Sequence, residues 1–312
     1  MTKGEDLAMK KRFSEEQVAF TLQRQAVTGI PENTHLIKRK IIKFINQICK
    51  NLLPQSYYSR IKLIYYTLQS NNYDLSKDLE HNENLFKKFN FDIEKIKQKL
   101  NSLNFSYHDD WLSWHYHLFI GLKDYFEDKK INILEIGTAS GTFTNFISKV
   151  YDDHQITTIS LDENEIPLTE FGGDEERKRK FLELRNKNLN RKNINFVKSN
   201  SIHIKKYFYG KKFDLIWVDG DHLNPQVTID IVNSLDLLNN DGIICTDDVI
   251  MDIEREKNTY ISNEGFLTLK HFGDNKILKN EYLIKRISKS NSITKKHVSI
   301  STFENNSKFI VN

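Results

Sequence analysis

An α/β chain built on a parallel sheet and preceded by a helical region is what the sequence predicts, and three observations carry that expectation. After Lys130, short β-branched runs alternate with helical stretches, the sequence form of parallel strands joined by helical crossovers. The run from Ile133 to Thr144 (Ile-Leu-Glu-Ile-Gly-Thr-Ala-Ser-Gly-Thr-Phe-Thr) takes an apolar strand through a glycine-bearing turn into a helix. Upstream, Ile37, Ile41, Ile45, Ile48 and Leu52 recur at three- and four-residue steps, the spacing of an amphipathic helix.

Taken in order, residues 1–34 read as a leader, 35–125 as a helical N-terminal region expected to lid the site and bind substrate, and 126–312 as the catalytic domain. In the leader, Ser14 and Gln17 form a capping box and Gly29-Ile-Pro31 stops the helix. From Met9 to Glu32, on Lys11-Arg-Phe-Ser-Glu-Glu-Gln17, this segment resembles the opening of the small helix-turn-helix protein of insertion-sequence transposases. Where that family continues into its recognition helix, this chain turns to Asn33-Thr-His-Leu-Ile-Lys-Arg-Lys40, so the element that enters a DNA groove is missing. The leader is therefore expected to be non-functional and nucleic acid is not an expected partner; a DNA-binding, transposase-derived fusion is the rival reading.

Lys38, Arg39, Lys40, Lys43 and Lys50 surround the apolar stripe of residues 37–53. A basic amphipathic helix of this kind either docks on its own domain with a solvated face or lies on an anionic membrane surface. Residues 74–104 read as polar helical connectors. Phe105, Tyr107, Trp111, Trp114, Tyr116 and Phe119 follow, interleaved with His108, His115 and His117. His115 and His117 are two apart and so lie on different faces of a helix, which argues for core packing against a metal pair, with a substrate contact from Trp111 or His115 as the alternative. Strands are expected at Ile131–Ile136, Ile156–Leu161, Ile194–Lys198, Asp214–Val218 and Gly242–Thr246, with Tyr282–Ile287 and His297–Thr302 completing the sheet.

A net charge of +4 is too balanced to imply a polyanionic partner. Two cysteines, Cys49 and Cys245, suggest neither a disulfide framework nor a thiolate metal site. No apolar run has the length of a membrane span, and Met-Thr-Lys-Gly-Glu-Asp leads into no apolar signal core. The expectation is a cytoplasmic protein, with peripheral contact at the inner face of the membrane if the basic helix binds lipid.

The chemistry gathers at strand ends. In Glu135-x-Gly137-x-x-x-Gly141 the first glycine is expected to let the backbone approach a ligand and the second to permit close helix packing, while free amides at the helix start favour an anionic group. Thr138, Ala139 and Ser140 complete that turn. Ala139 and Thr142 stand where a nicotinamide fingerprint wants glycine, which weakens that alternative. Asp162 ends the second strand about two dozen residues on, where doubly wound folds place an acid against ribose hydroxyls. Asn200 and Ser201 end the third strand and are candidates for the adenine edge, a plain polar turn being the other reading.

Glu135-Ile-Gly-Thr-Ala-Ser-Gly141, Phe213-Asp-Leu-Ile-Trp-Val-Asp-Gly-Asp-His222 and Leu238-Asn-Asn-Asp-Gly-Ile-Ile-Cys-Thr-Asp-Asp248 together resemble class I S-adenosylmethionine-dependent methyltransferases. More narrowly, they resemble the metal-dependent branch that holds catechol and caffeoyl-coenzyme A O-methyltransferases and enzymes acting on sugar hydroxyls. The resemblance spans Asn132 to Val249. It implies a Rossmann-like, seven-stranded, mostly parallel sheet, S-adenosylmethionine as cofactor, and Asp219, Asp247 and Asp248 as ligands of a divalent cation, magnesium suiting three carboxylates. Oxygen ligands at adjacent strand ends make a hard-cation site, and a bound cation lowers the proton affinity of a coordinated hydroxyl. Asp219 is expected to face cofactor and cation alike. His222 stands where the catechol and caffeoyl enzymes carry a lysine base, and its imidazole, with an ordinary pKa of about 6.5, is the candidate proton acceptor. The acceptor expected is a small-molecule or glycan hydroxyl; a metal-independent N- or O-methyltransferase is the alternative.

Overall fold

The β-branched and aliphatic runs after Lys130 fold as strands, the central ones buried on both faces. The computed structural model describes residues 75–103, 113–127, 129–251, 263–287 and 295–306. The leader, the helix read at 37–53, and Phe105, Tyr107, His108 and Trp111 lie outside the described residues. Among the described residues three helices come first: α1 (Leu75–Lys88), α2 (Ile93–Ser102) and α3 (His115–Tyr125). Then follow β1 (Asn132–Ile136), α4 (Thr142–Val150), β2 (Gln155–Ser160), α5 (Glu175–Leu189), β3 (Ile194–Lys198), the single-turn α6 (Ile204–Tyr207) and β4 (Phe213–Val218). The chain continues through α7 (Gln226–Leu237), β5 (Leu238–Val249), α8 (Glu264–Asp274), β6 (Leu278–Ile284) and β7 (His297–Phe303).

The seven strands form one sheet in the order β3-β2-β1-β4-β5-β7-β6. The pairs from β3 to β5 are parallel, while β7 runs antiparallel between β5 and β6. All seven expected strands are present, most within a residue or two of the sequence reading. Two depart further: β6 starts at Leu278 rather than Tyr282, and β5 starts at Leu238 rather than Gly242. In the second case Phe213 pairs with Leu238 while Leu215 pairs with Ile243, so the Asn-Asn-Asp-Gly segment is accommodated as a bulge within the strand.

β4 is buried along its whole length, as a central parallel strand with helices on both faces must be. Ile133, Leu215, Trp217, Ile243 and Cys245 pack on one face with Phe86, Leu118, Phe119, Phe146 and Ile147. Leu134, Ile136, Ile216, Val218 and Ile244 pack on the other with Val227, Ile231 and Leu269. Helices α1 to α3 thus share a core with the sheet, and the boundary read at 125/126 marks no break in packing. Chain order turns from β1 outward to β2 on one side and to β4 on the other, so the crevice beyond the carboxyl ends of β1 and β4 is the switch point at which open α/β sheets bind ligands. Among the described residues no helix is long and apolar enough to cross a membrane.

Candidate active site

The turn after β1 is shaped by contacts with the protein itself. Gly137 has φ 101, and a Cβ there would overlap the backbone carbonyl of Asp219 and come within 2.7 Å of Gly220 N. The sequence assigns this glycine to close approach of a ligand; the structure assigns the missing side chain to close approach of the β4 end. Gly141 behaves as expected, since a Cβ would sit 3.1 Å from Asn188 Cβ and 3.2 Å from Leu189 Cδ2 on α5. Between them Ala139 takes φ 44, a conformation that costs an alanine on the order of 1 kcal/mol or more. As N-cap, Gly141 offers no side-chain acceptor to the first turn of α4. Ser140 is tied locally, its hydroxyl 3.0 Å from Thr142 Oγ1 and its carbonyl receiving Asn188 Nδ2 at 2.9 Å.

Glu135 and Thr138 are placed inside the fold and not in the crevice. Glu135 is 1% exposed, and its Oε2 accepts the hydroxyls of Thr144 and Thr158, the latter at 2.6 Å. Thr138 Oγ1 lies 2.6 Å from Thr158 Oγ1. The acid therefore ties β1, β2 and the start of α4 together beneath the turn. Burial pushes its carboxyl up to about 7, against two hydroxyl bonds that pull it down. A raised carboxyl pKa means that Glu135's contribution to stability is complete below its ordinary 4.5 and is lost as pH rises through 7. Glu135→Gln is therefore expected to gain on wild type between pH 4.5 and pH 8, by up to roughly 3 kcal/mol in urea unfolding. A difference that stays constant with pH would remove this account of the buried acid.

Asp162 lies just beyond β2 with its side chain about one-third exposed. Its Oδ1 accepts from Asn164 N at 3.0 Å and Asn164 Nδ2 at 2.9 Å; Oδ2 is 3.9 Å from Lys198 Nζ. The Asn164 amide, with Lys198 beside it, holds the carboxyl below its usual range, so it is an ionised acceptor at the crevice. Asn200 and Ser201 are spent on local structure. Asn200 Oδ1 caps its own turn at Ile202 N (3.0 Å), and Ser201 Oγ accepts from Gln226 Nε2 (2.8 Å). The polar-turn reading of these two side chains is the one the geometry favours.

The acids of β4 and β5 meet on the face that carries Trp217 and Cys245. One ligand atom each from Asp219, His222 and Asp247 lies within 4.8 Å of the others. Asp247 Oδ1 is buried and has no hydrogen-bond partner among the described residues. Burial and the neighbouring Asp247 charge push the Asp219 carboxyl well above the carboxylate range. The sequence puts Asp248 in this trio, whereas the structure brings in His222. Asp248 sits at φ 51, where the β5–β7 register shifts between Thr246 and Val249, and this turns its carboxylate onto Lys285 Nζ (2.7 Å) and Lys296 Nζ. Against the cost of burial, those two ammonium groups hold Asp248 well below its usual range. His222 Nε2 lies 3.6 Å from Asp219 Oδ1 and 3.8 Å from Asp248 Oδ2.

Residues 134–249, which span the turn, Asp162 and this cluster, match the family model described as a methyltransferase domain. Over those residues the chain is similar to methyltransferase domains. Solved structures similar to it include an O-methyltransferase from Bacillus cereus in complex with S-adenosylhomocysteine, at 19% identity over 67% of this chain and 90% of that one, TM-score 0.41. Another is the O-methyltransferase TomG from Streptomyces achromogenes in complex with S-adenosylmethionine, at 11% identity over 80% and 99%, TM-score 0.40. At these values the likenesses say nothing of the chemistry. A search of curated proteins returned no match.

Two residues of the candidate site escaped the sequence reading. Lys285, 6% exposed, donates to Asp247 Oδ2 and Asp248 Oδ1, and Lys296 donates to Asp248 Oδ2. Burial alone would lower the Lys285 pKa, but Asp247, Asp248 and Asp219 outweigh it and keep the ammonium charged.

Proposed function

We propose that this methyltransferase moves the methyl group of S-adenosylmethionine to a hydroxyl oxygen, with a divalent cation held by Asp219, His222 and Asp247. The observation that carries the reading is the pair of carboxyls, Asp219 and Asp247, brought face to face with a buried oxygen that has no partner among the described residues. Like charges held this close call for a proton or a cation between them. The donor set fits a divalent ion, and the imidazole admits first-row transition metals beside magnesium. When bound, such an ion stabilises the anion of a coordinated hydroxyl. The chain's own part is to offer the α4 amides to the cofactor's carboxylate and Asp162 to its ribose. Asp219, whose carbonyl packs on Gly137, fixes the distance between the cofactor turn and the acceptor. Sugar or glycan hydroxyls are the acceptor class to screen first.

Calorimetric titration of S-adenosylmethionine and S-adenosylhomocysteine, with Mg²⁺ or Mn²⁺ and with chelator, tests both halves. Asp162→Ala is expected to weaken cofactor binding about ten- to hundredfold, the worth of one or two hydrogen bonds to a charged group. Asp219→Ala is expected to abolish the metal heat. Folded protein that binds neither cofactor form would sink the reading. A second reading rests on Lys285, whose ammonium already supplies a cation to Asp247 and Asp248: a metal-free methyltransferase, which insensitivity of turnover to chelator would favour.

A further inference from the structure

If His222 is a cation ligand, its lone pair is no longer free to take the acceptor's proton, and a second imidazole stands close by. We propose that His115 presents an unprotonated Nε2 to the acceptor side of the crevice and takes the proton of the hydroxyl that is methylated. This inference rests on hydroxyl methylation as the reaction.

The placement comes from backbone pairing. Ser113 pairs with Arg286 as an antiparallel bridge, and Trp114 N donates to Lys285 O at 2.8 Å, so the segment that starts α3 is pinned to the residue whose side chain reaches Asp247 and Asp248. The His115 ring stacks on Trp217 (5.6 Å, 16°) and meets the Phe143 ring edge-on (4.8 Å, 63°). Trp217 is two residues before Asp219, on the same face of the sheet, and Phe143 lies in the first turn of α4. The imidazole is thus held between the cofactor turn and the layer just below the acid cluster.

The hydrogen atoms follow from what each group is able to do. Ser113 Oγ lies 2.5 Å from His115 Nδ1 and 3.4 Å from Lys285 O. A carbonyl oxygen only accepts, so both bonds form together in one way: Ser113 gives its single hydrogen to Lys285 O and accepts from His115 Nδ1–H. Nε2 then carries the lone pair. It has no hydrogen-bond partner among the described residues, and 8% of the residue stays accessible. Burial, with Lys285 and Arg286 nearby, holds the ring well below its ordinary pKa, so it is neutral before the reaction. His117 offers no such arrangement: it is 2% exposed, stacks on Trp114, and its Nδ1 is buried without a partner among the described residues.

In the step itself the acceptor O–H proton passes to Nε2 as the oxygen attacks the sulfonium methyl carbon. The new O–C bond forms while the C–S bond breaks, its electron pair going to sulfur to give S-adenosylhomocysteine. The imidazolium, beside Asp248, later returns the proton to solvent.

Two measurements on the full chain test this without metal or acceptor, so failure of the divalent reading leaves them legible. The first is long-range ¹H–¹⁵N correlation on ¹⁵N-histidine protein, with His115 assigned by its loss in His115→Gln. It should show Nδ1 protonated and Nε2 bare, and Ser113→Ala should convert this to a tautomer mixture. The second is peptide mapping after diethyl pyrocarbonate, which should find His115 modified before His117. A protonated Nε2 in wild type, or a His115 no more reactive than His117, overturns the proposal.

Discussion

Gly137→Ala is expected to cost about 2–6 kcal/mol of stability and to remove measurable S-adenosylmethionine binding. Two independent costs add. A backbone at φ 101 is foreign to an L-residue, worth roughly 1–3 kcal/mol. The new methyl group would also overlap the Asp219 carbonyl and crowd Gly220 N, backbone atoms with no rotamer to retreat into, for a further 1–3 kcal/mol or so. Relief requires the turn to move away from the β4 end. That displaces the α4 amides on one side and Asp219 on the other, the two features that hold cofactor and acceptor in line. Urea unfolding and calorimetry on one preparation check both parts. A loss below about 1 kcal/mol with binding intact would mean that the turn relaxes without shifting either element, and that Gly137 is not what couples them.

The sheet was legible because its signals are local. Period, β-branching and the turn at Gly137 and Gly141 each lie within a dozen residues, and they predicted strands that the structure places at nearly the same positions. The candidate site was legible only as a set of strand ends, since a sheet of this topology carries Asp162, Asp219 and Asp247 along its carboxyl edge. What stayed hidden depends on which way a side chain turns and on partners distant in sequence. Glu135 reads as a cofactor residue until Thr144 and Thr158 are seen to close over it. Asp248 reads as a ligand until its left-handed backbone is seen to turn it towards two lysines. Those lysines are 37 and 48 residues away, two among 46 basic side chains, and no spacing rule marks them. Gly137 reads as a place where the backbone approaches a ligand; that a Cβ there would also meet the Asp219 carbonyl stays hidden, because the sequence does not say which strand end lies across the turn.

Lys285→Met is expected to lower stability by about 3–5 kcal/mol, the usual consequence of removing one partner of a buried ion pair. For a unit of this size that is a fall in Tm on the order of 10 °C. The ammonium is 6% exposed and bridges Asp247 and Asp248; without it Asp247 faces Asp219 with no cation, while Asp248 keeps Lys296. The same change makes the trio of Asp219, His222 and Asp247 more negative and leaves Asp247 wholly available, so a divalent cation should bind the variant more tightly than wild type. At a hundredfold excess over its Kd, Mg²⁺ or Mn²⁺ would return about 2.7 kcal/mol, most of what was lost, with chelator reversing the gain. Thermal melts of both proteins with each cation and with chelator separate the two readings of this site. Rescue of the variant places cation and ammonium in competition for Asp247. A full loss of stability that neither cation restores makes Lys285 the cation that Asp247 requires, and the enzyme metal-free.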